Sequence, residues 1–267
     1  MKNKKLFYAE FKKLIKNEVI KYKFTLDTRG CKPIYKITKY INIFLEKLES
    51  NLSWEKLEYI YKISKSQLHR IFTNWSVNNV FKYAFETFLK VYNLYIENDI
   101  AYIDTTTIFN KYGYLDTVGM NTYESKKHKS NKVSIISNNR GIPLGINIGN
   151  GNIHDIKLLI DTLPKNIIFN TLYADKGYIS KKLKETLLLR KIKIITPNKK
   201  KQIITNTRED QYELKNRMKI EHVNNRLKQN RSLNIRYAKD IKNFESYIYL
   251  GCLKLGLQTL IYDFYNF

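Results

Sequence analysis

Ile100-Ala101-Tyr102-Ile103-Asp104-Thr105-Thr106-Thr107 is the stretch that decides how this chain reads. Apolar and β-branched residues dominate it, and such residues suit a pleated, half-buried surface, so a strand is predicted over 100–107. An acid follows four core-forming residues, at the point where the strand would leave the interior. Upstream of the stretch the apolar spacing is helical. Downstream it becomes short β-branched runs separated by helical segments. The change falls near residues 97–100, which divides the chain into a helical region, 1–98, and an α/β part, 99–267. At roughly 150 residues per domain, a length of 267 fits one or two domains.

Further strands are predicted at Lys132–Ser137 and Leu144–Ile148, joined around the turn signal Asn138-Asn139-Arg140-Gly141-Ile142-Pro143. Short strands follow at Thr171–Ala174 and Ile192–Thr196. Helices are predicted at Asp155–Leu163, Ser180–Lys191, Arg208–Gln229 and Asp240–Tyr262. A three-strand meander followed by α/β crossovers is the order of a ribonuclease-H-like fold. The predicted class is therefore α/β: a mixed sheet flanked by helices, preceded by a small all-α helix-turn-helix-like region.

That region holds predicted helices at Tyr35–Glu49, Ser53–Lys62, Ser64–Trp75 and Val80–Glu97. Ser53 and Ser64 stand where N-caps belong, because their hydroxyls can satisfy free helix-terminal N–H groups. The pair joined at Lys62-Ile63 is a helix-turn-helix candidate that would present Lys65, Gln67, Arg70 and Asn74 to a DNA groove. An ordinary helical bundle with solvated polar faces fits the same residues. Trp54 and Trp75 read as core anchors rather than base contacts.

Lys and Arg number 48 against 24 Asp and Glu, a net charge of +24, which points to a polyanionic partner. Codon drift in an AT-rich genome, solubility or an acidic protein partner are the competing sources of that excess. Drift towards Lys does not explain why Arg208, Arg217, Arg226, Arg231 and Arg236 cluster within one segment. An apolar and aromatic share of 43% supports a packed core and excludes general disorder. Cys31 and Cys252 are the only cysteines, without a Cys-x-x-Cys pair, which excludes a zinc finger and a disulfide framework and fits a reducing compartment. Met1–Lys16 lacks the apolar core of a signal peptide. Ile248–Tyr262 is too short to span a bilayer, so it reads as a buried helix with no membrane partner. The expected location is the cytoplasm, in association with the nucleoid. No Ser-His-Asp arrangement, P-loop or dinucleotide fingerprint is present.

In so basic a chain the acids at special positions carry information. Asp104 ends one strand, and Asp175 ends Leu172-Tyr173-Ala174 in the same manner. In the predicted fold those strands are neighbours. Like charges held together are unfavourable without a cation between them, and a hard cation such as Mg²⁺ prefers oxygen ligands. Glu221 is the third candidate. On a helical wheel Arg217, Glu221, Asn224 and Lys228 share a face, while Ile220, Val223 and Leu227 form an adjacent anchoring face. A solvated face with i, i+4 pairs such as Arg217 with Glu221 is the plainer alternative.

Asp104-Thr105-Thr106, Ala174-Asp175-Lys176-Gly177-Tyr178 and Arg217-x3-Glu221-x6-Lys228 together resemble the three signatures of bacterial insertion-sequence DDE transposases, in the Tyr-Arg-Glu-Lys group. The similarity covers roughly Tyr35–Leu257. The chain departs from the pattern where the motif's tyrosine would stand, which is Leu214 (Tyr212 is out of register). Only about a dozen residues separate the last short strand from the Glu221 helix, which leaves no room for a large β-insertion there. The resemblance implies metal-dependent phosphodiester cleavage and strand transfer at transposon ends. It also implies that Asp104, Asp175 and Glu221 hold two Mg²⁺ ions, with Mn²⁺ as a substitute. Arg217, Lys228 and Lys176 would hold phosphates, with help from Asn224. The implied partners are double-stranded DNA, as terminal inverted repeats and target, and a second copy of the chain on that DNA. A non-catalytic DNA-binding derivative of such an enzyme and a ribonuclease-H-like nuclease are the alternatives.

Four smaller signals remain. His128 and Lys129 lie in the basic stretch Lys126–Ser130 and are candidate phosphate contacts. His154-Asp155 opens a helix and reads as a capping pair, although a His-Asp pair also occurs here in the family it resembles. His222 reads as structural. Arg226, Arg231 and Arg236 extend a basic band beyond Glu221, and Lys199-Lys200-Lys201 reads as an exposed loop.

Overall fold

The computed structural model describes residues 2–21, 35–93, 99–120, 128–165, 167–198 and 206–265. Cys31, Lys126, Lys127 and the lysine run at 199–201 lie outside these residues, as do residues 94–98. The chain forms two compact units, one of residues 1–88, 109–115 and 227–267, the other of residues 89–108 and 116–226.

The first unit is helical. It contains α1 (Lys2–Lys21), α2 (Ile37–Ser50), α3 (Trp54–Tyr61), α4 (Lys65–Val77), most of α5 (Val80–Asn93) and α10 (Ile241–Tyr265). The sequence reading did not single out α1 as an element, yet its signal is present. Phe7, Phe11, Ile15 and Val19 recur every fourth residue and are all buried, as one face of a helix requires. The helix α10 packs against α1, α2 and α4. A division at residues 98 and 99 assigns α10 to the α/β part. The fold groups it with the N-terminal helices instead, because its apolar residues, among them Phe244, Ile248 and Leu253, are buried in their company.

Phe44 on α2 is the hub of the helical core. Its ring lies 5.0 Å from Phe72, 5.4 Å from Trp75 and 6.4 Å from both Trp54 and Phe81, mostly edge to face. Trp75 is 1% exposed and is a core residue as expected, whereas Trp54 is half-buried with its ring against Phe44. Both serine caps form: Ser53 Oγ accepts the Lys56 N–H at 3.1 Å and Ser64 Oγ accepts the Gln67 N–H at 3.3 Å. Lys62 closes α3 in the left-handed conformation, at φ 54–55° like Asn51 after α2.

Lys47 is buried within this unit. Its ammonium donates to the Leu52 carbonyl at 2.7 Å and lies 4.5 Å from the Trp54 ring centre. Burial pulls its pKa down from 10.5 to about 8. Between those values the unfolded chain binds a proton that the folded chain does not, so stability rises as pH climbs from about 8 to 10.5. In Lys47→Met this increment disappears. Chemical unfolding across that window is expected to show wild type gaining roughly 2 kcal/mol relative to the variant. A pH-independent difference between the two would refute the burial effect.

The second unit carries the sheet. Its strands are β1 (Ile100–Asn110), β2 (Gly119–Met120), β3 (Lys129–Asn138), β4 (Pro143–Asn150), β5 (Thr171–Tyr173) and β6 (Lys193–Ile195). A seventh, β7 (Ile235–Arg236), pairs with the last two residues of β1 within the helical unit. The order is β2-β3-β1-β5-β6, with β4 also on β3. β3 pairs antiparallel with β2 and β4, whereas β1, β5 and β6 run parallel. This is the mixed sheet the strand pattern predicts, with α6 (Asp155–Thr162) and α7 (Lys181–Leu189) supplying the crossovers. The β3–β4 turn forms where predicted: Gly141 has φ +80°, and Asn138 Oδ1 accepts the N–H groups of Arg140 and Ile142. At Gly145 an added Cβ would sit 1.9 Å from the Thr162 carbonyl, so only glycine lets the end of α6 lie against β4.

Candidate active site

The parallel pairing of β1 and β5 sets the register of the two acids; Asp104 lies within β1, which continues to Asn110, rather than at the strand end that the sequence suggests. Ile100 opposes Thr171, Ala101 opposes Leu172 and Tyr102 opposes Tyr173, a constant offset of 71 (171 − 100). Carried two residues onward, the same offset sets Asp104 against Asp175 (175 − 104 = 71). Strand periodicity also places Tyr102 and Asp104 on one face of β1.

Over that face runs the segment 208–228. The sequence predicts one continuous helix here, whereas the structure has two, α8 (Arg208–Asn216) and α9 (Met218–Lys228), interrupted at Arg217. The cause is local: the Ile220 N–H bonds the Arg217 carbonyl at 3.0 Å, an i to i+3 bond that tightens the turn. A capping box starts α8, with Thr207 Oγ1 accepting the Asp210 N–H and Asp210 accepting the Thr207 N–H. Tyrosines of the paired strands tie α8 down. Tyr102 donates to Glu213, and Tyr173 donates to Asp210 Oδ1 at 3.3 Å. The carboxylates raise both phenolic pKa values beyond what burial does, that of Tyr173 to about 12.

With α8 anchored, Arg217, Glu221 and Asn224 meet Asp104. The Asn224 amide donates to Asp104 Oδ2 at 3.0 Å, and an Arg217 nitrogen lies 3.8 Å from Asp104 Oδ1. The other Arg217 terminal nitrogen donates to Glu221 Oε1 at 3.0 Å. One guanidinium thus stands between two carboxylates drawn from distant parts of the chain. The Asp104 and Arg217 side chains are 25% and 19% exposed, and that of Glu221 is 49% exposed, so the cluster is closed at its base and open at Glu221. Burial pushes the Asp104 carboxyl above its ordinary range. Arg217, the Thr105 N–H and the Asn224 amide oppose the rise, while the Glu221 charge adds to it. Asn224 Oδ1 is buried and has no hydrogen-bond partner among the described residues, leaving an acceptor oxygen beside the Asp104 carboxylate.

Asp175 is exposed and caps the short 3₁₀ turn Lys176–Tyr178, its Oδ1 accepting the Lys176 N–H at 2.6 Å. Tyr178 is buried and hydrogen-bonds Thr105 at 2.8 Å, joining the turn after β5 to the residue after Asp104. The structure therefore brings Asp104 and Glu221 together around Arg217 but does not draw Asp175 into a common cluster. Among the described residues no three acid, histidine or cysteine groups form a ready metal cage.

The other expected contacts are spread more widely. Lys176, His128 and Lys129 are exposed, and Lys228 is half-buried. His154 takes the N-cap position of α6 but makes no side-chain cap bond, whereas Asp155 pairs with Lys132 at 2.8 Å. In the helical unit Lys65 pairs with Glu55 at 2.8 Å, Gln67 donates to the Tyr40 hydroxyl at 3.0 Å, and Arg70 is exposed. Arg236 corrects the expected basic band. It is fully buried, with Nε donating to Ala238 O at 2.9 Å and Nη2 to Lys239 O at 2.8 Å, because the loop after β7 needs a donor for its inward carbonyls. Arg226 and Arg231 remain exposed.

Residues 127–239 match the family model of the transposase DDE domain. That span contains Asp175, Arg217, Glu221 and Asn224, and Asp104 lies upstream of it. No match is found among curated proteins. The fold is similar to a piggyBac transposase in a synaptic complex with hairpin DNA. Identity to that structure is 11% and the TM-score 0.55, over 96% of this chain and 74% of that one. A Mos1 transposase paired-end complex with the left transposon end aligns at 12% identity and a TM-score of 0.24, over 63% of this chain and 61% of that one. The mixed sheet flanked by helices is thus similar to transposase ribonuclease-H-like folds. Sequence reasoning missed two elements of this site: the tyrosine ties from Tyr102 and Tyr173 to α8, and the clamping position of Arg217. The first had a signal in the matching strand positions of the tyrosines; the second depends on the break at residue 217.

Proposed function

We propose that this chain is a DDE-class DNA transposase of a bacterial insertion sequence, which cuts and rejoins phosphodiesters at transposon ends. The observation that carries the reading is the cluster of Asp104, Arg217, Glu221 and Asn224 on β1 and α9, with Asp175 at the matching register position two residues beyond β5. Divalent-metal dependence is general to DDE transposase domains, and the donor chemistry fits a hard cation. Carboxylate oxygens of Asp104 and Glu221, with Asp175 once its side chain leaves the turn that it caps, would hold the ions, and the unpartnered Asn224 Oδ1 would add a further oxygen beside Asp104. Arg217 supplies positive charge between Asp104 and Glu221, so an incoming ion competes with its guanidinium. When bound, a pair of Mg²⁺ or Mn²⁺ ions supplies Lewis-acid charge and an activated oxygen nucleophile. The chain's own residues do the rest. Asn224 fixes the Asp104 carboxylate, and Arg217 is suited to bidentate phosphate contact once freed. Lys176, Lys228, His128 and Lys129 supply further phosphate contacts. The proposed partners are terminal inverted repeats, target DNA and a second copy of the chain.

Incubating the purified protein with its element's ends and Mg²⁺, then with a plasmid target, tests the reading. Cleavage with strand transfer is expected. Hydrolysis without transfer would favour a simple nuclease, and tight binding without cleavage would favour a non-catalytic derivative. Binding itself is expected to be steeply salt-sensitive. With about six phosphate contacts, affinity falls by about a thousandfold between 50 and 200 mM salt. A flat response in an electrophoretic or anisotropy titration would remove the phosphate contacts from the account.

A further inference from the structure

Two residues before each strand acid stands a tyrosine: Tyr102-Ile103-Asp104 on β1 and Tyr173-Ala174-Asp175 at β5. The two tyrosines oppose each other in the parallel register, with their rings 5.9 Å apart. Both phenols donate to acids of α8, Tyr102 to Glu213 and Tyr173 to Asp210 Oδ1 at 3.3 Å. Asp210 and Glu213 stand three residues apart, which sets them on one face of that helix. One helix is thus fastened at two points to the two strands that lead to Asp104 and Asp175.

The two helix acids are fully engaged in holding the backbone. Asp210 Oδ2 accepts the Thr207 N–H at 3.3 Å, and the Lys193 ammonium of β6 lies 3.9 Å from the same oxygen. Glu213 Oε2 takes the Tyr102 hydroxyl and the Asn216 amide, the latter at 3.4 Å. The Glu213 carbonyl accepts the Arg217 N–H at 3.0 Å. A shift of Glu213 therefore moves the residue at which α8 gives way to α9. From that residue Arg217 reaches both Asp104 and Glu221, and the next turn carries Glu221 itself.

Tyr102 is fully buried and Tyr173 is 4% exposed, so neither meets a substrate. We infer that Tyr102 and Tyr173 are positioning residues of the metal site: acting through Glu213 and Asp210, they keep Glu221 seated beside Asp104, and those two α8 acids are acceptors for the phenols rather than metal ligands. The physical reason is entropic. An acid on a loosely seated helix must be ordered as the ion binds, and that cost is subtracted from the affinity. The inference rests on the metal-dependent part of the proposed function and extends it to four residues that touch neither metal nor DNA.

The test uses the full chain and Mn²⁺ with two readouts. One is Mn²⁺ bound by the protein alone, from the loss of the free-ion electron paramagnetic resonance signal. The other is cleavage of the element's ends across a Mn²⁺ titration. Tyr102→Phe removes one hydroxyl and keeps the ring. It is expected to raise the half-saturating Mn²⁺ concentration about tenfold in both readouts, with excess Mn²⁺ restoring most of the cleavage rate. Tyr173→Phe, whose bond is longer, should act in the same direction and less strongly. Glu213→Ala should match Tyr102→Phe, and the double variant should lose no more than either single one, because both remove the same bond. Glu213→Gln keeps an oxygen for the phenol and should stay within about twofold of wild type. A wild-type Mn²⁺ response in both tyrosine variants, or multiplied losses in the double variant, would overturn the inference. So would a lower maximal rate at unchanged half-saturation, the mark of a general structural loss. Glu213→Gln that no longer binds Mn²⁺ would make Glu213 a ligand and overturn its assignment. If wild type binds Mn²⁺ without cleaving DNA, and Tyr102→Phe still weakens that binding, the catalytic reading falls and the inference stands. Absence of Mn²⁺ binding by wild type would overturn both.

Discussion

Asp104→Asn is expected to lower DNA cleavage by at least about a thousandfold while DNA affinity stays within about twofold of wild type. The substitution keeps the shape of the side chain and an oxygen that can accept the Asn224 amide. What it removes is the charge that Arg217 now faces and that a divalent ion would require. An effect of that size corresponds to about 4 kcal/mol of transition-state stabilisation, within the several kcal/mol that a catalytic metal supplies. Asp175→Asn and Glu221→Gln are expected to behave alike. Asp175 gives the most searching test, because its side chain caps the turn after β5 rather than joining Arg217. Cleavage near the wild-type rate in any one of the three variants would remove that residue from the ligand set. If Asp175→Asn alone were active, the metal would be held from β1 and α9 without β5.

Phe44→Ala is expected to destabilise the helical unit by about 4 kcal/mol, seen as a fall in the unfolding midpoint of about 10 °C. Phe44 is 1% exposed and touches four other rings, so its removal leaves a void lined by Trp54, Phe72, Trp75 and Phe81. Those rings cannot collapse into it without losing their own tilted contacts with one another. Phe44→Leu keeps most of the volume and is expected to cost less than about 2 kcal/mol. Urea unfolding followed by tryptophan fluorescence measures both, since both tryptophans of the chain lie against this ring. A loss below about 1 kcal/mol for the alanine variant would show that the cluster is not closely packed.

The sheet was legible because its signals are local. Two apolar runs ended by an acid, an Asn-Asn-Arg-Gly turn and an apolar run ended by Pro197 each depend on a few neighbouring residues, and β1, β3, β4, β5 and β6 all form where those signals lie. The serine caps of α3 and α4 were legible for the same reason, since a hydroxyl reaches only the N–H groups of the next turn. The two-residue strands β2 and β7 were not, because nothing in Gly119-Met120 or Ile235-Arg236 specifies a strand until a partner is beside it. The capping pair at His154-Asp155 was half legible: Asp155 answers Lys132, a partner from β3 that local reading does not supply.

The same division runs through the candidate site. The sequence alone determined which residues could serve: acids closing two apolar runs, and Arg217, Glu221 and Asn224 at helical spacing on one face. These follow from the periods of strand and helix, which each segment carries within itself. Only the tertiary structure decided what those residues touch. The β1–β5 register, the tyrosine ties to α8 and the tightened turn at Arg217 set one guanidinium between Asp104 and Glu221 and leave Asp175 capping its own turn. It likewise turned Arg236 from an expected surface cation into a buried brace, because the carbonyls that needed a donor were made inward only by the fold of the loop around them.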